Sequence, residues 1–145
     1  MRRVVVTGIG VISPLGSGAA ANLASARGGR SAVQRLQAPW CARLLAPLAA
    51  PCQFDGAQHF PGAQLRMLDR VSQLALVATG QALDDSACRL GDCDRSRVGV
   101  LVGTAMGGTQ STDDGYQTLY GERSDRIKPF SVLMGMYNAP AAWIG

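Results

Sequence analysis

Two glycine-rich turns, four cysteines and one histidine are the residues of this chain whose types could do chemistry. Gly8-Ile9-Gly10-Val11-Ile12-Ser13 follows an apolar run, the place where a dinucleotide-binding turn offers backbone N–H groups to a pyrophosphate. It lacks the third glycine, and Pro14 stands where a helix start should already be donating. Gly103-Thr104-Ala105-Met106-Gly107-Gly108 lacks the Gly-Lys-Ser/Thr ending that supplies a phosphate lysine and a magnesium-binding hydroxyl. Both turns fail as nucleotide sites on the residues that carry the chemistry. Gly8 and Gly10 read instead as positions where backbone turns tightly or approaches a helix closely.

A nucleophile is equally hard to assemble. There is no Gly-x-Ser-x-Gly elbow, and His59 sits in a Pro-Gly loop with no evident partner. Cys41, Cys52, Cys88 and Cys93 are irregularly spaced, without the paired short gaps of a zinc knuckle, and read as reduced, structural residues. Nothing in sequence points to a base or helix N-terminus that would activate any of them. The expectation is a scaffold and pocket wall, with no metal and no cofactor.

The elements that would position such a wall follow from periodicity. Arg2 to Gly16 is β-branched, interrupted only by small residues and stopped by Ser13-Pro14, which predicts one strand buried on both faces of a parallel sheet. Ser17 is the expected N-cap of a short helix from Gly18 to Arg27, ended by Gly28-Gly29. Residues 30 to 64 form a proline-punctuated excursion, in which Leu44, Leu45 and Leu48 suggest a helical turn and Cys52 to Asp55 an edge strand. Such an excursion is either a functional cover or a dimer contact.

From Leu65 to Cys88 the apolar residues Met67, Leu68, Val71, Leu74, Ala75, Ala78 and Ala82 recur at helical spacing, predicting a long helix largely buried between layers. Arg97 to Gly103 is a second core strand running into the glycine turn, and Gln110 to Leu119 a further helix. Strand, helix, long helix, strand, helix is the right-handed crossover pattern of a parallel sheet, so the fold class is α/β.

Composition agrees. A hydrophobic fraction of 47% with 17% charged residues indicates a globular chain rather than a disordered one, and 145 residues are about one domain. The net charge of +4 comes from scattered arginines, without the basic cluster that nucleic-acid binding prefers. Arg2-Arg3, the apolar run and Ala19-Ala20-Ala21 imitate a signal peptide, but Thr7, Gly8, Gly10 and the β-branched character argue against one. No stretch reaches the length of a membrane span. The expected location is the cytoplasm, with neither nucleic acid nor membrane as partner.

Four blocks carry a family resemblance: Arg2 to Gly16; Met67-Leu68-Asp69-Arg70 through Ser86; Arg97 through Gly108; and Lys128-Pro129-Phe130 through Asn138. In this order and spacing they resemble the amino-terminal part of the β-ketoacyl-acyl-carrier-protein synthases, covering residues 1–145 apart from the excursion. The resemblance implies the front of a thiolase-like fold, layered αβαβα around a mostly parallel sheet. It implies decarboxylative Claisen condensation of an acyl thioester with malonyl-carrier protein, in fatty-acid or polyketide synthesis.

The family's nucleophilic cysteine, its two histidines and its lysine would fall past Gly145, so these 145 residues alone are expected to lack condensing activity. What carries over is binding. Met106 matches the residue that gates the acyl pocket. Ser131 and Met136 match positions that reach across a twofold axis into the partner's acyl pocket, implying a homodimer or a related heterodimer. Plain core packing is the alternative for Met106 and Met136. Arg66 and Arg126 match basic positions that meet the acidic acyl-carrier protein, although Met67, Asp125 and Leu133 depart from the family pattern. The alternative reading is a non-catalytic dimerisation module, or a chain-length-factor-like partner of a complete synthase.

Overall fold

The computed structural model describes residues 3–145; Met1 and Arg2, the start of the first expected strand, lie outside the described residues. Its spine is the helix α3, Arg70–Ser86. The expected helix from Leu65 is divided in two: α2, Gly62–Leu65, ends at Arg66, and Asp69 takes an extended conformation to cap α3. A carboxylate at that position accepts an otherwise orphaned N–H and suits the positive end of the helix dipole. Ala87, at φ 52°, ends α3 one residue before the expected Cys88.

The stripe of α3 is half-buried rather than enclosed, because only one set of neighbours covers it. The deep core lies at its N-terminal end, where Leu68, Ser72 and Pro140 are the fully buried side chains. α6, Ala139–Ile144, packs along α3, while α4, Thr109–Tyr116, packs on α5, Ser131–Gly135. α4 starts and stops close to the expected helix and passes into a wider helical turn over Gln117–Gly121.

The first expected strand finds no ladder partner among the described residues. Residues 3–11 form no ladder, and Val4 and Val6 are 94% and 81% exposed. A strand buried on both faces needs partner strands and covering layers, and none of the described residues supplies a partner. The segment instead lies on the C-terminal half of α3, where Ile9 N–H donates to Asp85 Oδ2 and Val11 N–H to Gln81 Oε1, each at 2.9 Å. The close approach depends on glycine: a Cβ at Gly8 or Gly10 would overlap the carbonyl oxygen of Ala82 or Ala78. The second expected strand is likewise unpaired, with Leu101 fully exposed.

The ladders among the described residues are two short antiparallel pairs, not a parallel sheet. β1, Ile12–Ser13, pairs with β2, Gly16–Ser17, across a turn at Pro14 and Leu15. The helix α1, Ala19–Arg27, follows. Its N-cap is Gly18 rather than Ser17, because the Ser17 hydroxyl is engaged by Gln81 at 2.9 Å.

In the excursion, β3, Gln34–Arg35, pairs with β4, Leu48–Ala49, so Leu48 is in a strand rather than a helical turn. The turn is displaced to Pro39–Arg43, where Pro39 supplies a fixed φ at its start. The expected edge strand at Cys52 to Asp55 is also absent. The Asp55 carboxylate accepts the Ala57 N–H at 3.0 Å and starts a turn over Gly56–Gln58 instead.

Candidate functional site

The N-terminal end of α3, the start of α4 and the 128–134 segment enclose a cleft of about 750 Å³. Its fixed point is Asp69. One oxygen accepts the Val71 N–H at 3.0 Å; the other accepts the Ser111 N–H at 2.8 Å and the Ser111 hydroxyl at 2.6 Å. A carboxylate that is 4% exposed is tolerable only with such charge-assisted bonds, and these lock α3 to α4. Leu68 and Met134, 2% and 6% exposed, pack beside it.

A second cavity, of about 290 Å³, adjoins the first and shares Ser111, Asp114, Lys128 and Met134 with it. Lys128 Nζ and Asp114 Oδ2 stand 4.0 Å apart, each more than half exposed, so this pair contributes little to stability. Arg70 also borders the larger cleft, but its guanidinium is committed elsewhere. It donates to the carbonyls of Phe54 at 3.1 Å and Cys52 at 2.8 Å and lies 5.6 Å from the Phe54 ring centroid. Arg70 thus ties the excursion to α3 and is not free to bind an anion.

The sequence-predicted residues divide between these features. Arg66 is exposed and lines the larger cavity; Arg126 and Ser131 line the smaller one. Ser131 Oγ donates to the Lys128 carbonyl at 2.8 Å, which secures the first turn of α5. Met106 and Met136 line neither cavity. At 66% and 44% exposure they are not packed core residues either.

Met106 sits in the glycine turn that leads into α4, where its carbonyl accepts the Thr109 hydroxyl at 3.2 Å. That turn is held against α5 through Gly108, where a Cβ would overlap the Met134 carbonyl oxygen. Gly107 and Gly108 therefore serve backbone packing, while Gly103 has nothing within 4 Å of the Cβ it lacks.

Asp69 and Ser111 were not among the predicted site residues. Asp69 falls inside the apolar stripe, between Leu68 and Val71, so the periodicity hides the helix start that it caps, and nothing near Ser111 announces a contact 42 positions away. His59 is exposed and stacks on Phe54 at 5.1 Å between centroids. Among the described residues no group of three His, Cys, Asp or Glu side chains could hold a metal ion. The cysteines are not uniformly structural: Cys41 is buried, but Cys88 is exposed and its Sγ lies 3.7 Å from that of Cys93.

The family described as "Beta-ketoacyl synthase, N-terminal domain" matches residues 1–145. A Streptomyces halstedii protein named as a polyketide beta-ketoacyl synthase 1 is 43% identical over 116 residues, covering 79% of this chain and 28% of its own. The 3-oxoacyl-[acyl-carrier-protein] synthase 2 of Staphylococcus aureus strain N315 is 28% identical over 92% of this chain and 32% of its own. Two solved structures superpose over 99% of the chain at 25% identity. They are the ishigamide ketosynthase/chain length factor, with a TM-score of 0.78 over 36% of that chain, and the AntDE:AntF complex, with a TM-score of 0.75 over 38%. The latter is a type II PKS acyl-carrier protein in complex with its ketosynthase bound to the hexaketide. The chain spans roughly a third of the length of the proteins it matches.

Proposed function

The chain belongs to the β-ketoacyl synthases, an acyltransferase family, as their N-terminal domain, and from that premise we propose that it builds a wall of the acyl site and a carrier-facing surface. The reaction served is decarboxylative Claisen condensation of an acyl thioester with malonyl-carrier protein, in fatty-acid or polyketide synthesis. The observation that carries the reading is the junction of α3, α4 and α5. The Asp69–Ser111 bonds hold the helices there, and Arg66, Arg126 and Ser131 border the adjoining cavities.

In this reading Arg66 and Arg126 meet the acidic carrier protein, whose charge exposed arginines would steer. Met106 gates the acyl chain, and Ser131 and Met136 reach toward a partner subunit. The apolar segments 3–11 and 98–103 become strands of a mostly parallel sheet in the layered αβαβα fold once ladder partners are supplied. Their exposed valines and leucine support this assignment, because such a surface is unfavourable in water. These 145 residues contribute binding but not the nucleophile, and the protein works in the cytoplasm without metal or nucleotide. No helix among the described residues is long and apolar enough to cross a membrane.

A second reading, a non-catalytic partner of a complete synthase, draws support from the likeness to a ketosynthase/chain length factor structure. Titration calorimetry of the chain with an acyl-carrier protein tests the principal one. Arg66→Glu and Arg126→Glu should each weaken binding roughly fivefold or more and reduce its salt dependence. Unchanged affinity in both variants would remove the carrier-facing surface, and carbon dioxide release from malonyl-carrier protein would overturn the non-catalytic assignment.

A further inference from the structure

Cys88 and Cys93 are separated by a tight, well-hydrogen-bonded loop at the exit of α3. Ala87 in the left-handed conformation turns the chain, and Cys88 N–H donates to Ser86 Oγ at 3.1 Å. A single helical turn, Leu90–Asp92, then folds back, with Asp92 N–H donating to the Arg89 carbonyl at 2.9 Å and Cys93 N–H to the Leu90 carbonyl at 3.3 Å. The result places the two sulfur atoms 3.7 Å apart, with Cys88 exposed and Cys93 half-buried. The other two cysteines differ from this pair: Cys41 is buried and Cys52 half-buried.

We propose that Cys88 and Cys93 form a redox-active dithiol, a modification site that a small external disulfide such as oxidised glutathione converts to an intramolecular disulfide. Closing the bond requires the sulfurs to approach to about 2 Å, a shift within reach of side-chain rotation in an exposed loop.

The Cys88 thiolate attacks one sulfur of oxidised glutathione, forming a mixed disulfide and expelling one glutathione thiolate. Cys93 then gives its proton to water and attacks the Cys88 sulfur, forming the internal bond and expelling the second glutathione. The protein loses two electrons, and oxidised glutathione gains them as two reduced molecules. The order of attack follows from the surroundings. Cys88 is the exposed sulfur and the one an external disulfide reaches first, while the hydrogen bond and charge of Cys88 push the half-buried Cys93 thiol above its ordinary range, with partial burial and the Asp92 carboxylate adding to the effect. Cys93 Sγ also donates to the Arg89 carbonyl at 3.6 Å.

The site lies at the end of α3 that carries Gln81 and Asp85, the side chains that anchor the 3–11 segment. It also precedes the unpaired 98–103 segment, so oxidation would staple the link between these two parts of the fold. This inference does not depend on the functional reading given above.

The test equilibrates the whole chain with glutathione mixtures of rising oxidised fraction, quenches with acid, alkylates under unfolding conditions and maps the peptides by mass. Cys88 and Cys93 should lose alkylation together, in one linked peptide lighter by two hydrogens, while Cys41 and Cys52 remain alkylated. In Cys88→Ser and in Cys93→Ser the remaining thiol should form only a glutathione adduct. That adduct should need roughly tenfold or more oxidised glutathione, because the intramolecular partner that supplies the effective concentration is gone. Separate adducts on both cysteines of the unsubstituted chain at the midpoints of the single variants would overturn the proposal, as would full alkylation at every ratio.

Discussion

Asp69 accepts both the backbone N–H and the hydroxyl of Ser111 on a single oxygen, at 2.8 and 2.6 Å, while its other oxygen caps α3 at Val71. Two helices that are remote in sequence thus share one buried carboxylate. Replacing it leaves three donors without an acceptor in a site that water scarcely reaches. Asp69→Ala should cost about 3 kcal/mol, and Ser111→Ala, which keeps the backbone donor and the cap, about 1 to 2 kcal/mol. Urea unfolding of both variants and of the double variant measures this. The double should lose less than the sum, because the Ser111 hydroxyl bond is removed in each single variant. A single Asp69→Ala variant within about 0.5 kcal/mol of the parent would show that the carboxylate does not hold the helices together.

The same residues show what a sequence can convey about such a site. The stripe from Met67 to Ala82 announces α3 because its pattern is local and repeats. The clustering of valines at 4 to 6 announces strand-forming residues, but pairing is a non-local property, and those residues stand exposed without a ladder. Gly8 and Gly10 were legible as points of close helix approach, and the helix they approach is α3. Ser111 was not legible, since a serine at the start of a helix has the same local pattern whether or not a carboxylate 42 positions away accepts from it. The Cys88–Cys93 proximity depends on the left-handed Ala87 and the turn after it, neither of which their spacing alone specifies.

Glycines of this chain should respond to alanine with opposite signs according to what surrounds them. At Gly108 a Cβ would overlap the Met134 carbonyl, a backbone atom that cannot rotate away, so Gly108→Ala should destabilise by about 1 to 3 kcal/mol. At Gly80, an exposed position of α3, a Cβ meets nothing within 4 Å. Gly80→Ala should therefore stabilise by about 0.5 to 1 kcal/mol, through helix propensity and a less flexible unfolded chain. Urea midpoints at constant slope distinguish the two, and a destabilised Gly80→Ala variant would mean that this face of α3 is covered in solution.

Met106 and Met134 separate packing from recognition. Met134 is 6% exposed beside the Asp69 junction, and truncation there leaves a cavity that the surrounding helices cannot fully close, so Met134→Ala should cost about 2 to 5 kcal/mol. Met106 is 66% exposed in the turn before α4, and Met106→Ala should change stability by less than about 0.5 kcal/mol. A flexible, polarisable side chain at an exposed position suits the proposed surface that adapts to an acyl chain. Thermal and urea unfolding of both variants decide the matter. A loss above about 1.5 kcal/mol for Met106→Ala would make it a packing residue and remove it from the proposed acyl gate, because a side chain that open to water cannot lose that much through transfer alone.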